Sequence, residues 1–226
     1  MERSVVRDAG PRPRFGAVFF DFDGVLITSE PIWWSVIEEV LRARDVVSPD
    51  TVIERVNGYR LSEVIARFVS HDKRLAKAIE DEVQEQAASK IVQQPLTAGA
   101  AEAMRELSAA NVTLGIVSSS ASDLLAAVLD EKKIREYFKI LIGGDQVEHG
   151  KPEPDGYELA VDQAQLAASR CCAVEDSAAG IVAAADAKVY VVQFALETTA
   201  DRGPHPRAAE VAMSFPAVAD IILGRG

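Results

Sequence analysis

Five short apolar runs, each followed by helix-like sequence, set the strongest limit on what this chain can fold into. They are Ala17 to Phe22, Val112 to Val117, Phe138 to Ile142, Cys171 to Val174 and Lys188 to Phe194. Several are apolar almost without interruption, as expected of strands in a parallel sheet covered on both faces. Helical patterns such as Gly99 to Ala110 and Tyr157 to Ala168 lie between them. The alternation predicts an α/β fold with a doubly wound parallel sheet.

One stretch breaks the alternation. From Glu30 to Gln94 the sequence reads as helix only. Ile32, Trp33, Val36, Ile37, Val40 and Leu41 form one apolar stripe. Leu61, Val64, Ile65, Phe68 and Val69 form a second, and Leu75, Ile79, Val83 and Ala87 a third. The expectation is a helical cap over residues 28–96, inserted after the first strand into a core of residues 16–27 and 97–226. Its hinges are expected near Ile27 to Ser29 and in Gln93 to Gly99, where Pro95 and Gly99 punctuate the chain. Trp33 and Trp34 read as core packing for at least one of the pair, and as candidate lining of a substrate site. Residues 1–15 are basic and Pro-rich without an apolar signal core, and read as a flexible leader.

Composition narrows the function classes. The 226 residues are 48% hydrophobic, enough for a real core. A net charge of −11 argues against nucleic acid as a partner, and no run of 18 apolar residues predicts a membrane span. Cys171 and Cys172 are adjacent and lack metal-ligand spacing. They read as two buried thiols in a reducing cytoplasm. The expected assembly is a monomer or a small homo-oligomer.

In an open parallel sheet, ligands bind beyond the carboxyl ends of the strands. FFDFDG puts Asp21 at such an end, and strand alternation turns Asp23 to the same side. Two carboxylates this close repel unless a cation or a shared proton lies between them. Alone, the pair reads equally as a turn-forming and a solvated aspartate before a glycine. The second run ends in Ser118, Ser119 and Ser120, which could hold an anion, while Ser120 or Ser122 could instead cap the next helix. The third leads to HGKPEPD, where Lys151 precedes a helix with Asp155 in its first turn. A Walker loop is excluded there, because Asp145 replaces the first glycine and Pro152 the Ser or Thr. The fourth ends in Glu175 and Asp176. Together these ends gather carboxylates that select a hard cation, most simply Mg²⁺, around an anion site with a lysine and a serine. Phosphoryl transfer requires that set. Asp21 can then attack phosphorus and form an aspartyl-phosphate, while Asp23 serves as acid and base.

DFDGVL, Ser118 after an apolar strand, GKPEPD and VEDS, in this order, resemble the four motifs of the haloacid dehalogenase-like superfamily. The helical stretch after the first motif resembles the family's small α-helical cap, and the likeness runs from Gly16 to Phe194. It implies a Rossmann-like core with Asp21 as nucleophile and Asp23 as acid/base. It implies Mg²⁺ on the Asp21 side chain, the Asp23 backbone carbonyl and Asp176, with Glu175 as a ligand or beside one. Ser118, the Ser119 amide and Lys151 would hold the phosphoryl group, and Gly24 of the first motif joins the substrate-binding set.

The founding dehalogenases have no acid two residues after the nucleophile, so Asp23 points to the phosphate-handling branch. TSEPIW resembles the DSEPLW of sugar-phosphate phosphatases and departs from it at Thr28. The family's mutases carry a histidine ten residues after the second aspartate, where this chain has Trp33. The resemblance therefore implies a Mg²⁺-dependent phosphatase of a small phosphorylated metabolite, a sugar or polyol phosphate. A phosphomutase of the β-phosphoglucomutase type is one alternative. A non-catalytic regulatory protein is another, and it would be expected to have lost a motif residue, yet none is missing. Within the cap, the loop VNGYRLSE is expected to read the leaving group through Asn57, Tyr59 and Arg60, and Arg60 reads equally as a solvated charge at a helix start.

Overall fold

The computed structural model describes residues 13–48, 57–195 and 203–225. At its centre six strands form one sheet: β1 (Ala17–Phe20), β2 (Thr113–Val117), β3 (Phe138–Ile142), β4 (Cys171–Glu175), β5 (Tyr190–Phe194) and β6 (Glu210–Ala212). The order is β3-β2-β1-β4-β5-β6 and every pairing is parallel. The expected doubly wound α/β fold is borne out. Order reverses on either side of β1, whose last residue, Phe20, pairs with Ile116 of β2 and Val174 of β4. A crevice at the carboxyl ends of β1, β2 and β4 follows from that reversal.

Both faces of the sheet are covered, which explains its apolar runs. Val18, Phe20, Ile116 and Val174 pack with α4 (Ala100–Ala109), α5 (Ser122–Glu131) and α8 (Phe215–Leu223). Ala17, Phe19, Ile142 and Ala173 turn to the other face and pack with α6 (Asp155–Ala164) and α7 (Ala178–Asp186). Successive β1 residues thus serve opposite layers, as the strand period of two requires.

Among the described residues, three helices stand between β1 and α4: α1 (Glu30–Ala43), α2 (Leu61–Ala66) and α3 (Lys73–Val92). Asp72 starts α3 by accepting the amide protons of Arg74 and Leu75, a cap that typically contributes about 1 kcal/mol. Ile79, Val83, Ala87 and Ile91 recur every four residues on α3 and are all fully buried. Burying each of the larger three stabilises by about 1.5–3 kcal/mol. The outgoing and returning connections of this insertion run side by side. Thr97 donates its amide to Leu26 O at 2.9 Å and its hydroxyl to Val25 O at 2.7 Å.

Several sequence expectations shift at their edges. The first strand ends at Phe20 rather than Phe22, because Asp21 and the residues after it turn away. The helix expected over Tyr157 to Ala168 spans Asp155–Ala164 and stops where Gln165 takes a left-handed conformation, φ 54°. Strand β6 carries no apolar run to announce it, since Glu210 and Val211 precede its one buried residue, Ala212. Of the expected leader, residues 1–12 lie outside the described residues. Phe15 is not loose: it is buried, and the Arg14 amide donates to Ile222 O at 3.0 Å. Cys171 and Cys172 are free buried thiols. Among the described residues no helix is long and apolar enough to cross a membrane.

Candidate active site

The carboxyl ends of the central strands bring the expected residues together. Asp21 follows β1 directly and is held there by its own amide, which donates to Val174 O at 2.9 Å. Ser118 follows β2, and its amide donates to Ile142 O at 3.0 Å. Glu175 ends β4 and Asp176 comes next. Lys151 arrives from the loop between β3 and α6 and is buried despite its charge.

A buried lysine needs carboxylates, and two stand beside it. Its Nζ lies 2.9 Å from Asp21 Oδ1, a buried ion pair. It donates to Glu175 Oε1 at 2.5 Å and to Val117 O at 3.0 Å. Burial alone would lower the lysine's pKa, but the charges of Asp21 and Glu175 more than reverse this, and it stays an ammonium. Glu175 is fully buried and fully engaged. Its Oε1 also accepts from Tyr157 Oη at 2.6 Å, and its Oε2 from Ser177 Oγ at 3.3 Å. A Cβ on Gly180 would overlap this carboxylate, so the first turn of α7 can pass Glu175 only as glycine.

Asp21 and Asp176 are differently placed. Asp176 has a buried Oδ1 with no hydrogen-bond partner, and the buried Asp21 Oδ1 meets the Lys151 ammonium. One oxygen from each of Asp21, Glu175 and Asp176 lies within 4.8 Å of the other two. Burial, then the charge of Glu175, pushes the Asp21 carboxyl well above the usual range, and Lys151 only partly offsets this. Asp176 is raised as well, by burial and then by the charges of Asp21 and Glu175. Buried carboxylates crowded this closely, one of them with an unpartnered oxygen, fit a hard, oxygen-liganding cation. Gly24 completes the cradle: its φ is +82°, and a Cβ there would overlap the Asp176 carboxylate. Gly24 therefore gives room to Asp176.

Asp23 points to a different set of partners. Its Oδ1 accepts from the Ser29 hydroxyl and from Trp33 Nε1, the latter at 3.0 Å. Its Oδ2 accepts from Ser120 Oγ at 2.7 Å, with Ser118 Oγ at 3.4 Å. Ser118 Oγ in turn accepts the Ser120 amide at 3.1 Å. Neither Ser120 nor Ser122 caps α5 with its side chain. Ser122 donates its amide and hydroxyl to Asp145 instead, at 2.8 and 2.7 Å.

A cavity of about 300 Å³ opens over Asp21 and Asp23, walled by α1, α2, α3 and the loop before α2. Both Trp33 and Trp34 line it, although Trp34 is also buried in the core cluster. Trp34 Nε1 donates to Asn57 Oδ1 at 3.2 Å. Ser119 reaches across to this loop, its hydroxyl donating to Gly58 O at 2.7 Å. Arg60 lines the cavity without being free in it. Its Nε donates to Glu63 Oε1 at 2.7 Å, and a terminal nitrogen donates to the carbonyls of Gly144, Val147 and Glu148 at 3.2–3.4 Å. It is not the solvated charge its place at a helix start also suggested. Thr28 is exposed and lines a separate groove beside Gln94 to Ala98.

Tyr157 and Ser29 escaped the sequence reading as site residues, while Ser120, read there as a possible anion holder or helix cap, donates to Asp23. Tyr157 carried the clearest signal, a hydroxyl at a helix position where Ala160 marks the buried side.

Comparison with known proteins follows the same outline. A family model described as haloacid dehalogenase-like hydrolase matches residues 18–194. Validoxylamine A 7'-phosphate phosphatase of Streptomyces hygroscopicus subsp. limoneus is 30% identical over 192 residues, covering 83% of this chain and 88% of that one. A phosphorylated carbohydrates phosphatase of Thermotoga maritima is 23% identical over 206 residues, covering 88% and 94%. Among solved structures, CbbY from Rhodobacter sphaeroides in complex with phosphate superposes with a TM-score of 0.77 at 24% identity, over 89% of this chain and 95% of that one.

Proposed function

The chain belongs to the haloacid dehalogenase-like hydrolases, and from that premise we propose that it is a Mg²⁺-dependent phosphatase of a small phosphorylated metabolite, a sugar or polyol phosphate. The observation that carries the reading is a buried Asp21 paired with Lys151, beside a second aspartate held by hydroxyl and indole donors. Relatives named as a validoxylamine A 7'-phosphate phosphatase and a phosphorylated carbohydrates phosphatase support the substrate class.

In this reading an Asp21 oxygen attacks phosphorus, and the bond from phosphorus to the leaving oxygen breaks. Asp23 gives that oxygen its proton, so the product leaves as an alcohol. Water then attacks the aspartyl-phosphate while Asp23 takes one of its protons, which frees inorganic phosphate and restores Asp21. Lys151, Ser118 and the Ser119 amide hold the phosphoryl oxygens throughout. The side chains of Asp21 and Asp176 and the Asp23 carbonyl would hold Mg²⁺, which would supply positive charge to keep Asp21 ionised and to neutralise the phosphoryl oxygens. Glu175, with both oxygens hydrogen-bonded, serves as the anchor of Lys151 rather than as a ligand. Residues 28–96 act as a cap that closes over the leaving group and keeps bulk water out.

A mutase would pass through the same phospho-enzyme but return the phosphoryl group to a second sugar hydroxyl. Here Trp33, whose indole donates to Asp23 and exchanges no proton, stands in the first turn of α1, just past the expected hinge. Phosphorus NMR of the protein with Mg²⁺ and a hexose 1-phosphate or 6-phosphate tests the choice. Free phosphate is expected as the product. An isomeric hexose phosphate that accumulates faster than free phosphate would replace the phosphatase reading with the mutase.

A further inference from the structure

We propose, building on the phosphatase reading above, that the cavity takes a polyhydroxylated leaving group of about six carbons that carries an amine and no second acid. Size is the first argument. A cavity of about 300 Å³ is many times the roughly 10–15 Å³ needed to hold one water. A two-carbon leaving group would leave most of that space wet beside the phospho-enzyme. A six-carbon skeleton displaces the water that closure is meant to exclude.

Charge is the second argument. Apart from the catalytic aspartates, Glu30, Glu80 and Asp145 line the cavity. Arg60 is the one cationic side chain among its described lining residues, and it is already paired with Glu63 and bonded to three carbonyls. Lys151 is buried between Asp21 and Glu175. A carboxylate or second phosphate on the leaving group would therefore meet acids and, among the described residues, find no uncommitted cation to receive it. Asp145 is turned to Ser122 through both oxygens. Glu80 is less committed: its contact with Lys77 is long, at 3.6 Å, and that lysine sits closer to Asp81, at 3.0 Å.

The third argument is the pairing of acceptor and aromatic surface. Glu80 and Gln84 lie one turn apart on α3, and both line the cavity. Trp33 and Trp34 line it too, with their indole N–H groups occupied by Asp23 and Asn57. What these rings have left to offer a ligand is carbon surface and π-density, which suit the C–H face of a ring and attract an ammonium. Glu80 would accept that ammonium, and Gln84 a neighbouring hydroxyl.

The test compares kcat/KM for glucosamine 6-phosphate, glucose 6-phosphate and 6-phosphogluconate, which share a six-carbon frame and differ in charge. The expected order is amine over neutral by roughly fivefold, the size of a partly exposed ion pair. Neutral over acid is expected by about tenfold. Glu80→Gln should bring the amine-to-neutral ratio close to one within the same preparation, while the acid remains the poorest. Equal rates on amine and neutral, a ratio unmoved by Glu80→Gln, or an acid hydrolysed as well as the neutral sugar would each overturn the proposal. So would turnover of p-nitrophenyl phosphate with none of the three hydrolysed, and the phosphatase reading would survive that result. Failure on p-nitrophenyl phosphate as well would sink the phosphatase reading itself.

Discussion

Asp23 receives the Ser29 hydroxyl and Trp33 Nε1 on one oxygen and Ser120 Oγ on the other, so the start of α1 and the loop after β2 fix its position from two sides. If it is the general acid, Asp23→Asn should lower the rate on a sugar phosphate by about 10²–10⁴-fold. The loss should be much smaller on p-nitrophenyl phosphate, whose leaving group barely needs a proton. Comparing the two substrates in steady-state assays checks this, and equal losses would remove Asp23 from that role. The charged members of the site were legible in the sequence. Asp21, Asp23, Lys151, Glu175 and Asp176 stand out because a charge at the end of an apolar run demands a partner. Tyr157 and Ser29 were not, because a hydroxyl gains its meaning from the acceptor the fold brings to it, Glu175 and Asp23 respectively.

Helix α7 and strand β4 meet so closely that Gly180 lies against the Glu175 carboxylate. Gly180→Ala must displace that carboxylate or the helix, and overpacking of this kind typically costs about 1–3 kcal/mol. Because Glu175 anchors Lys151, the same variant should also lose phosphatase activity. Urea unfolding and a rate assay on one preparation measure both effects. A variant as stable and as active as the parent would show that the anchor is not needed. Helices α1 and α3 were visible as apolar stripes, since helix packing writes a period near four into the sequence. Strand β6 was invisible because three residues at a sheet edge with one buried side chain carry no period at all. The ends of β1 and α6 were misplaced for a related reason. Backbone turns, not hydrophobicity, end them.

At the scale of the whole molecule, a chain of net charge −11 concentrates buried acids where the sheet order reverses. Asp21 and Asp176 are both raised, by burial first and then by their neighbours. A raised carboxylate contributes stability that is fully present below its unfolded value, ~4, and lost as pH rises through the folded one. Protein stripped by a chelator should therefore lose melting temperature as pH climbs upward from about 5. Mg²⁺ should restore it, with a gain that grows with pH, because protons compete less for the ligands. Thermal unfolding with chelator and with excess Mg²⁺ across that range checks the sign, and a gain that shrinks with rising pH would contradict it. The central claim is that Asp21 is the nucleophile of a metal-assisted phosphoryl transfer. Its most direct test is phosphate release from p-nitrophenyl phosphate by the parent protein and by Asp21→Asn, with circular dichroism to verify the fold of both. The account predicts Mg²⁺-dependent turnover by the parent and background release by the folded variant. Near-parental turnover by folded Asp21→Asn would contradict it.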